Sequence, residues 1–142
     1  MQTAKQLLIS GQYTCVLKCG EQVFTSCQRG VKPLVQFLRQ GTIPPHADAA
    51  DKVVGKATAY LYVLLEIDSL YTQVISKPAL SVLTEHGIAV EYCTMTENII
   101  NRAGDGICPF EEAVMQITDP QAAYSAILQK MTAMNIPLED SL

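Results

Sequence analysis

The feature that most constrains the fold is a strand–helix–strand pattern in the middle of the chain. Residues 69–76 (SLYTQVIS) and 88–94 (IAVEYCT) are rich in the β-branched and aromatic side chains that strands favour. Between them, Ser76 offers a capping hydroxyl, Pro78 suits the first turn of a helix, and Gly87 suits its end. Because two strands joined by a helical crossover lie parallel in one sheet, this pattern predicts an α/β fold.

A β-hairpin is predicted near the start of the chain. Residues 13–18 (YTCVLK) and 22–26 (QVFTS) have strand composition, and Gly20 lies in the tight connection between them. The next segment, residues 30–39, is predicted to be a helix with Pro33 in its first turn. The sheet is therefore expected to be mixed, with an antiparallel hairpin followed by a parallel βαβ unit.

A long helix is predicted from about residue 46 to residue 65. Its apolar residues recur at helical spacing and would form one buried stripe: Ala50, Val53, Val54, Ala57, Leu61 and Leu64. Residues 59–65 are apolar all round, which indicates burial at that end and a polar opposite end. Gly55 in mid-helix would cost about 1 kcal/mol relative to Ala, which indicates a close approach by another element or a ligand.

The C-terminal part is predicted to be helical after an unusual glycine-rich loop over residues 101–109. Residues 97–101 are either a fifth strand or a helical turn. One domain is expected over residues 1–142, with a core at about 10–112 and C-terminal helices over 109–135. The last helix either covers the sheet or packs on a second copy of the chain, which would make a homodimer.

Composition excludes several classes of function. The net charge of −4, without a basic stripe, argues against general nucleic-acid binding. The longest apolar run is too short for a membrane span, and no signal peptide is recognised, so a cytoplasmic protein is expected. The five cysteines are scattered without the two-residue spacing of a zinc knuckle, which predicts reduced thiols and no cofactor.

The order hairpin, long helix, strand, helix, strand resembles the cytidine deaminase-like fold over roughly residues 10–112. The resemblance implies three layers, with a mixed sheet of four to five strands flanked by helices. In those enzymes the long helix opens with a His- or Cys-x-Glu pair, and the next strand ends in Pro-Cys-x-x-Cys. Here His46-Ala47-Asp48 is similar to the first motif, but Ala79 and Val82 stand at the cysteine positions. A zinc-dependent deaminase and a metal site are therefore not expected.

A closer resemblance is to an uncharacterised bacterial family, a domain of unknown function placed in the deaminase-like fold. It rests on Ala50-Asp51-Lys52-Val53-Val54-Gly55-Lys56-Ala57, on Val74-Ile75-Ser76 with His86-Gly87-Ile88, and on Asn101-Arg102 with Gly104-Asp105-Gly106-Ile107-Cys108-Pro109. Because that family has no established reaction, the resemblance implies the fold and leaves the function open.

The polar end of the long helix is the first candidate site. Asp48, Lys52 and Lys56 are four residues apart and would line one face, with Asp51 beside them. One interpretation is a solvated face with an Asp48–Lys52 ion pair. In the other, Asp51 is a general base or polar anchor, Lys52 takes part in catalysis and Lys56 binds the ligand.

The second candidate is the helix start at Ser76 and Lys77. Free backbone N–H groups there can hold an anion, and Lys77 adds positive charge. Alternatively, Ser76 is only a cap. Ligands of α/β sheets bind beyond the carboxyl ends of the strands, where both helix starts should meet.

The third candidate is the late loop. Asn101, Arg102, Gly104, Asp105 and Gly106 would contact a ligand, with the Arg102 guanidinium holding a phosphate or carboxylate. Cys108 opens a helix, a position that lowers the pKa of a thiol and favours a catalytic role, and Glu111 is expected at the same site. The alternative is a turn at Asp105-Gly106 and a buried Cys108 thiol, with Glu111 complementing the helix dipole.

Two functions remain open on this basis. In the first, the domain binds or acts on a nucleotide-like or phosphorylated small molecule, an anionic ligand, without zinc. In the second, it is a non-enzymatic regulatory or protein-interaction module on a degenerate deaminase fold.

Overall fold

The computed structural model describes residues 3–28, 30–99 and 106–136. These residues form a five-stranded mixed sheet in the order β2-β1-β3-β4-β5, in which β1 is antiparallel to both of its neighbours and β3, β4 and β5 are parallel. The strands are β1 (Cys15–Cys19), β2 (Gln22–Ser26), β3 (Asp48–Val54), β4 (Ser69–Ser76) and β5 (Ala89–Thr96). The predicted α/β fold with a mixed sheet is confirmed.

Helices cover both faces of this sheet unequally. They are α1 (Ala4–Ser10), α2 (Lys32–Gln40), α3 (Lys56–Leu64), α4 (Lys77–Glu85), α5 (Pro109–Val114) and α6 (Pro120–Ala133). The main core combines residues of α2 to α6 with Leu17, Ala49 and Leu70 of the sheet. The adjacent strand residues point to the opposite face and pack on α1 alone: Val16, Ala50 and Tyr71. Among the described residues, no helix is long and apolar enough to cross a membrane.

The predicted hairpin and βαβ unit are confirmed. Gly20 between β1 and β2 has a φ of 61°, the left-handed conformation that glycine favours. Strands β4 and β5 are parallel, with Ser69 beside Ala89. The Ser76 hydroxyl caps α4 by accepting a hydrogen bond from the Ala79 N–H at 3.2 Å. The local start and stop residues therefore place these elements as the sequence predicts.

The predicted helix over residues 46–65 is wrong in its first half. Asp48–Val54 is the central strand β3, hydrogen-bonded to β1 on one side and to β4 on the other. Its consecutive residues Ala49 and Ala50 are both buried, one on each face, so packing between two layers overrides the helical spacing. The strand missing from the four predicted ones is therefore β3. Residues 97–99, the other place considered for it, form no strand, and residues 100–101 lie outside the described residues.

The second half of that prediction is correct. Helix α3 spans Lys56–Leu64, and six consecutive residues from Ala57 to Tyr62 are buried. Gly55 occupies the N-cap position, immediately before the first residue of α3, and does not lie in mid-helix. The turn from strand to helix at Gly55 is what positions the site described next.

Candidate functional site

Two helix starts lie side by side at the carboxyl edge of the parallel strands. Val54 at the end of β3 is paired with Ile75 of β4, so α3 and α4 begin at neighbouring positions. The expected meeting of two helix starts is therefore present, although the first begins at Lys56 and not at His46. Edges of this kind are where ligands of open α/β sheets bind.

A cavity of about 280 Å³ opens next to β3 at this end of the sheet. Cys15 at the start of β1 is the register partner of Asp51, and the Lys52 N–H donates to the Thr14 carbonyl at 3.1 Å. The antiparallel pairing of β1 with β3 thus brings the beginning of one strand to the end of the other. The lining includes Thr14, Cys15, Gln28, Pro33, Asp51 and Lys52.

Three side chains form a hydrogen-bonded chain behind the cavity. The Tyr62 hydroxyl of α3 donates to Asp51 Oδ2 at 2.7 Å, and it lies 3.3 Å from the Cys15 thiol. Because the hydroxyl proton goes to the carboxylate, the Tyr62 oxygen is free to accept from Cys15. Both Tyr62 and Cys15 are buried, so this chain fixes the Asp51 carboxyl from the core side.

Asp51 is the member of this chain that titrates near neutrality. Asp51 as a whole is half-buried, but its carboxyl group is withdrawn from water by the surrounding protein. This desolvation raises the pKa of the carboxyl to about 7, although the hydrogen bond from Tyr62 acts in the opposite direction. Burial, followed by the Asp51 charge, raises the pKa of the Cys15 thiol and of the Tyr62 hydroxyl well above their ordinary values. At pH 7 Asp51 can therefore accept and return a proton while its two neighbours stay neutral.

Lys52 follows Asp51 on β3 and is also part of the cavity lining. The residue is exposed, and no hydrogen bond or ion pair joins its ammonium to any residue that the structure describes. Its predicted roles in catalysis and anion binding stay predictions.

Glu111 and Lys56 are engaged inside the fold, which differs from the ligand-binding roles predicted for them. The Glu111 carboxylate accepts hydrogen bonds from the first two N–H groups of α3, those of Lys56 at 2.8 Å and Ala57 at 2.9 Å. The Lys56 ammonium donates to the Met115 carbonyl at 3.1 Å. Both side chains hold the α5 segment against α3. Glu111 lies in the first turn of its own helix, as the alternative interpretation expects, and its carboxylate caps α3 in addition.

This arrangement explains Gly55. A Cβ at that position would lie 2.5 Å from the carboxyl carbon of Glu111, closer than any real contact. The close approach predicted at Gly55 is therefore made by a buried carboxylate of the chain itself.

The second predicted site has its polar groups occupied as well. Ser76 is fully buried and acts as the cap of α4. The Lys77 ammonium forms an ion pair with Glu97 at 3.0 Å. The interpretation of Ser76 as a cap thus matches the structure, and Lys77 is available to an anion only in competition with Glu97.

Most of the late loop lies outside the described residues. This applies to Asn101, Arg102, Gly104 and Asp105, whose ligand-binding roles stay predictions. The segments on either side of the loop are joined where the Cys108 N–H donates to the Ile99 carbonyl at 2.9 Å. Gly106 and Cys108 are half-buried, and Cys108 packs against the main core. Cys108 is not part of the Asp51 cavity lining, so its proposed catalysis would take place elsewhere.

The change from helix to strand also corrects the first candidate site. Asp48 accepts a hydrogen bond from the Ser69 hydroxyl at 2.6 Å and lies at the opposite end of β3 from the cavity. The helical face of Asp48, Lys52 and Lys56 therefore does not exist, nor does the Asp48–Lys52 ion pair.

His46 precedes β3 and does not open a helix. It has a φ of 70°, and its Nδ1 lies 2.9 Å from Asp68 Oδ1, a hydrogen bond that raises its pKa. The likeness to a deaminase His-x-Glu helix at this position is wrong. Across the described residues, no three His, Cys, Asp or Glu side chains are grouped closely enough to hold a metal ion.

Tyr62 was missed from the sequence alone, and only a reduced thiol was predicted for Cys15. The available signal was a tyrosine in the apolar run over residues 59–65, because a buried hydroxyl needs a partner. That partner, Asp51, is eleven residues earlier and is reached only because β3 turns directly into α3 at Gly55.

Comparison with known proteins identifies a family and a solved structure that are similar to this chain. A family model described as TM1506, a domain of unknown function (DUF1893), matches residues 3–131. The crystal structure of a DUF1893 family protein (TM1506) from Thermotoga maritima, at 2.70 Å resolution, is similar with a TM-score of 0.83 and 28% sequence identity, over 89% of this chain and 86% of that chain. No curated protein matches the sequence. Since the family model spans nearly the whole chain, the protein belongs to the DUF1893 family, for which no function is named.

Proposed function

We propose that the protein binds or acts on a small nucleotide-like or phosphorylated molecule at the Asp51 cavity, without zinc. The observation that carries this proposal is a carboxyl with a pKa of about 7, held by Tyr62 and lining a cavity of about 280 Å³. A titratable group perturbed by desolvation in a cleft is typical of catalytic and binding sites.

The roles follow from the chemistry of the lining. Asp51 serves as a general base or a polar anchor, because its pKa lies near the working pH. Lys52, exposed and adjacent, would contact an anionic group of the ligand, with Arg102 proposed as a second cation. Tyr62 keeps one carboxylate oxygen in place, so the other oxygen is left for the ligand.

A deaminase-like fold remains part of the proposal, but the two motif-bearing helices of the deaminases now correspond to α2 and α3. The helix after the hairpin is α2, which begins at Lys32, and the next strand, β3, leads into α3 at Lys56. Under this correspondence the first residues of α2 and α3 still contain no histidine or cysteine. Zinc-independent function is therefore proposed under either correspondence.

A second candidate function is a non-enzymatic interaction module, either for another protein or for a second copy of the chain. It is favoured by two exposed methionines at the ends of the last helices: Met115 is 46% exposed and Met134 is 43% exposed. Exposed flexible apolar side chains of this kind occur on protein-binding surfaces.

Thermal unfolding against a panel of nucleosides, nucleotides and sugar phosphates tests the proposal. A ligand at a hundred times its dissociation constant stabilises the native state by about 2.7 kcal/mol, which is a measurable shift in Tm. The shift is expected to disappear in Asp51→Asn and to persist in Asp48→Asn, the matched aspartate at the other end of β3. An equal shift in Asp51→Asn would place binding elsewhere, and no shift across the panel would favour the interaction module.

A further inference from the structure

The chemistry around Asp51 restricts which part of a ligand can enter the cavity. We propose that this part is a nitrogen group with N–H donors, a primary ammonium or an amidinium, and that it binds Asp51 in place of a proton. The inference rests on the proposed function, because it names the group of that ligand which contacts Asp51. A phosphate of the same ligand would stay outside, on the side of Lys52.

The cavity is small for a nucleotide-sized molecule. It has a volume of about 280 Å³. That is just below the range of about 300–1,000 Å³ found for complete ligand pockets. The buried group is therefore small, and the rest of the molecule remains at the surface.

The hydrogen-bonding groups of the cavity require a donor from the ligand. Asp51 Oδ2 accepts from Tyr62, whereas Oδ1 lies 3.4 Å from the Val53 N–H, too far for a strong hydrogen bond. The backbone N–H groups of Val53 and Lys52 lower the pKa of Asp51 less than burial raises it, so the carboxyl can still accept from a ligand. The Thr14 hydroxyl donates to the Ser26 carbonyl at 3.0 Å, so towards a ligand its oxygen can only accept. An ammonium or amidinium supplies the donors that these two oxygens lack.

The charges around Asp51 also favour a cation. Facing it are Cys15 from β1 and Tyr62 from α3, both neutral at pH 7 because burial raises the pKa of each. The remaining described lining is uncharged and comes from Thr14 before β1, from Val53 of β3, and from α2 with the segment before it. Lys52 is the one described cation in the lining, and it makes no ion pair with Asp51. A desolvated carboxyl without a counter-charge keeps a proton or binds a cation.

Binding of such a cation should depend on pH with a defined sign. The carboxyl with a pKa of about 7 must lose its proton before the cation binds. About one tenth of the protein is deprotonated at pH 6 and about nine tenths at pH 8, so the affinity should be about tenfold higher at pH 8. A ligand without the nitrogen group should not show this increase.

A pair of matched phosphate esters provides the test: ethanolamine phosphate, and ethylene glycol phosphate, in which a hydroxyl replaces the ammonium. Both would be titrated calorimetrically at pH 6 and pH 8 into the wild type, Asp51→Asn and Asp48→Asn. The wild type and Asp48→Asn are expected to prefer ethanolamine phosphate by about tenfold or more at pH 8, and Asp51→Asn is expected to lose the preference. Because both esters carry the same phosphate, its ionisation between pH 6 and pH 8 affects both alike and cancels in the comparison.

The outcomes separate this inference from the function on which it rests. Equal binding of the two esters at pH 8, or a preference that survives in Asp51→Asn, would overturn the inference and leave phosphate-ligand binding standing. Binding of neither ester would also overturn it, while the thermal panel decides the proposed function independently. If Asp51→Asn does not fold, carbon-13 NMR of the wild-type Asp51 carboxyl decides, because saturating ethanolamine phosphate must lower its pKa and an unchanged pKa refutes the inference.

Discussion

Substitution of Gly55 by alanine should destabilise the protein through a residue 56 positions away. The backbone of Gly55 is extended, with a φ of −99° and a ψ of −178°, so alanine can adopt it without strain. The new Cβ would meet the Glu111 carboxylate, whose atoms lie 2.5–2.7 Å from that position. The carboxylate must therefore move away from the first turn of α3.

The size of the effect follows from what Glu111 would lose. It accepts two hydrogen bonds, at 2.8 and 2.9 Å, and each hydrogen bond to a charged group contributes about 1.5–3 kcal/mol. Losing both would cost about 3–6 kcal/mol. Alanine also lowers the conformational entropy of the unfolded chain, but this stabilises the protein by only about 0.4–1 kcal/mol. A net loss of at least about 2 kcal/mol in the free energy of unfolding is expected.

Urea unfolding followed by circular dichroism measures this loss, and a double-mutant cycle assigns its cause. In a Glu111→Ala background the Gly55→Ala substitution should be neutral or slightly stabilising, because the clash is gone. Glu112→Gln is the matched control, since this exposed neighbour in the same turn should change stability by less than about 1 kcal/mol. An equal cost of Gly55→Ala in both backgrounds would refute the clash as the cause.

Three further predictions concern Asp51, Tyr62 and Ser76. Because the pKa of Asp51 is raised from 3.8 to about 7, the native state holds more protons than the unfolded state between these values. Stability should therefore fall by about 3 kcal/mol as pH rises from 4 to 7, and urea unfolding should show the fall abolished in Asp51→Asn. Tyr62→Phe removes a hydrogen bond that lowers this pKa, so NMR titration should show the pKa rising further, with a stability loss of about 1 kcal/mol. Ser76→Ala should cost about 1 kcal/mol as a lost cap, whereas Lys77→Ala should change the unfolding midpoint little.

The elements with local start and stop residues were predictable from the sequence. Ser76, Pro78 and Gly87 delimit α4, and the structure places them at its cap, its first turn and just after its end. Strand β3 was not predictable in this way, because Asp48–Val54 contains alanine, aspartate and lysine, which strands disfavour. Its conformation is imposed by pairing with β1 and β4, and this long-range contact leaves no local pattern.

The candidate site was predictable only in part, for the same reason. Asp51 and Lys52 were identified from their position near a helix start, and both line a cavity, but on a strand. Glu111 was assigned to a ligand, whereas it fills the start of α3. Its pairing with Gly55 depends on how α5 folds back on α3, which neither the spacing nor the charge of these residues encodes.

The capping of α3 by Glu111 has a consequence for synthesis of the chain. The carboxylate belongs to a residue translated 55 positions after Lys56, a delay of about 3–11 s at about 5–20 residues per second. During that interval the first N–H groups of α3 have only water as a partner, and the junction with β3 is open to proteases. Ribosome-bound chains that stop before α5 should therefore be cleaved near Gly55, and chains long enough to expose Glu111 should be protected.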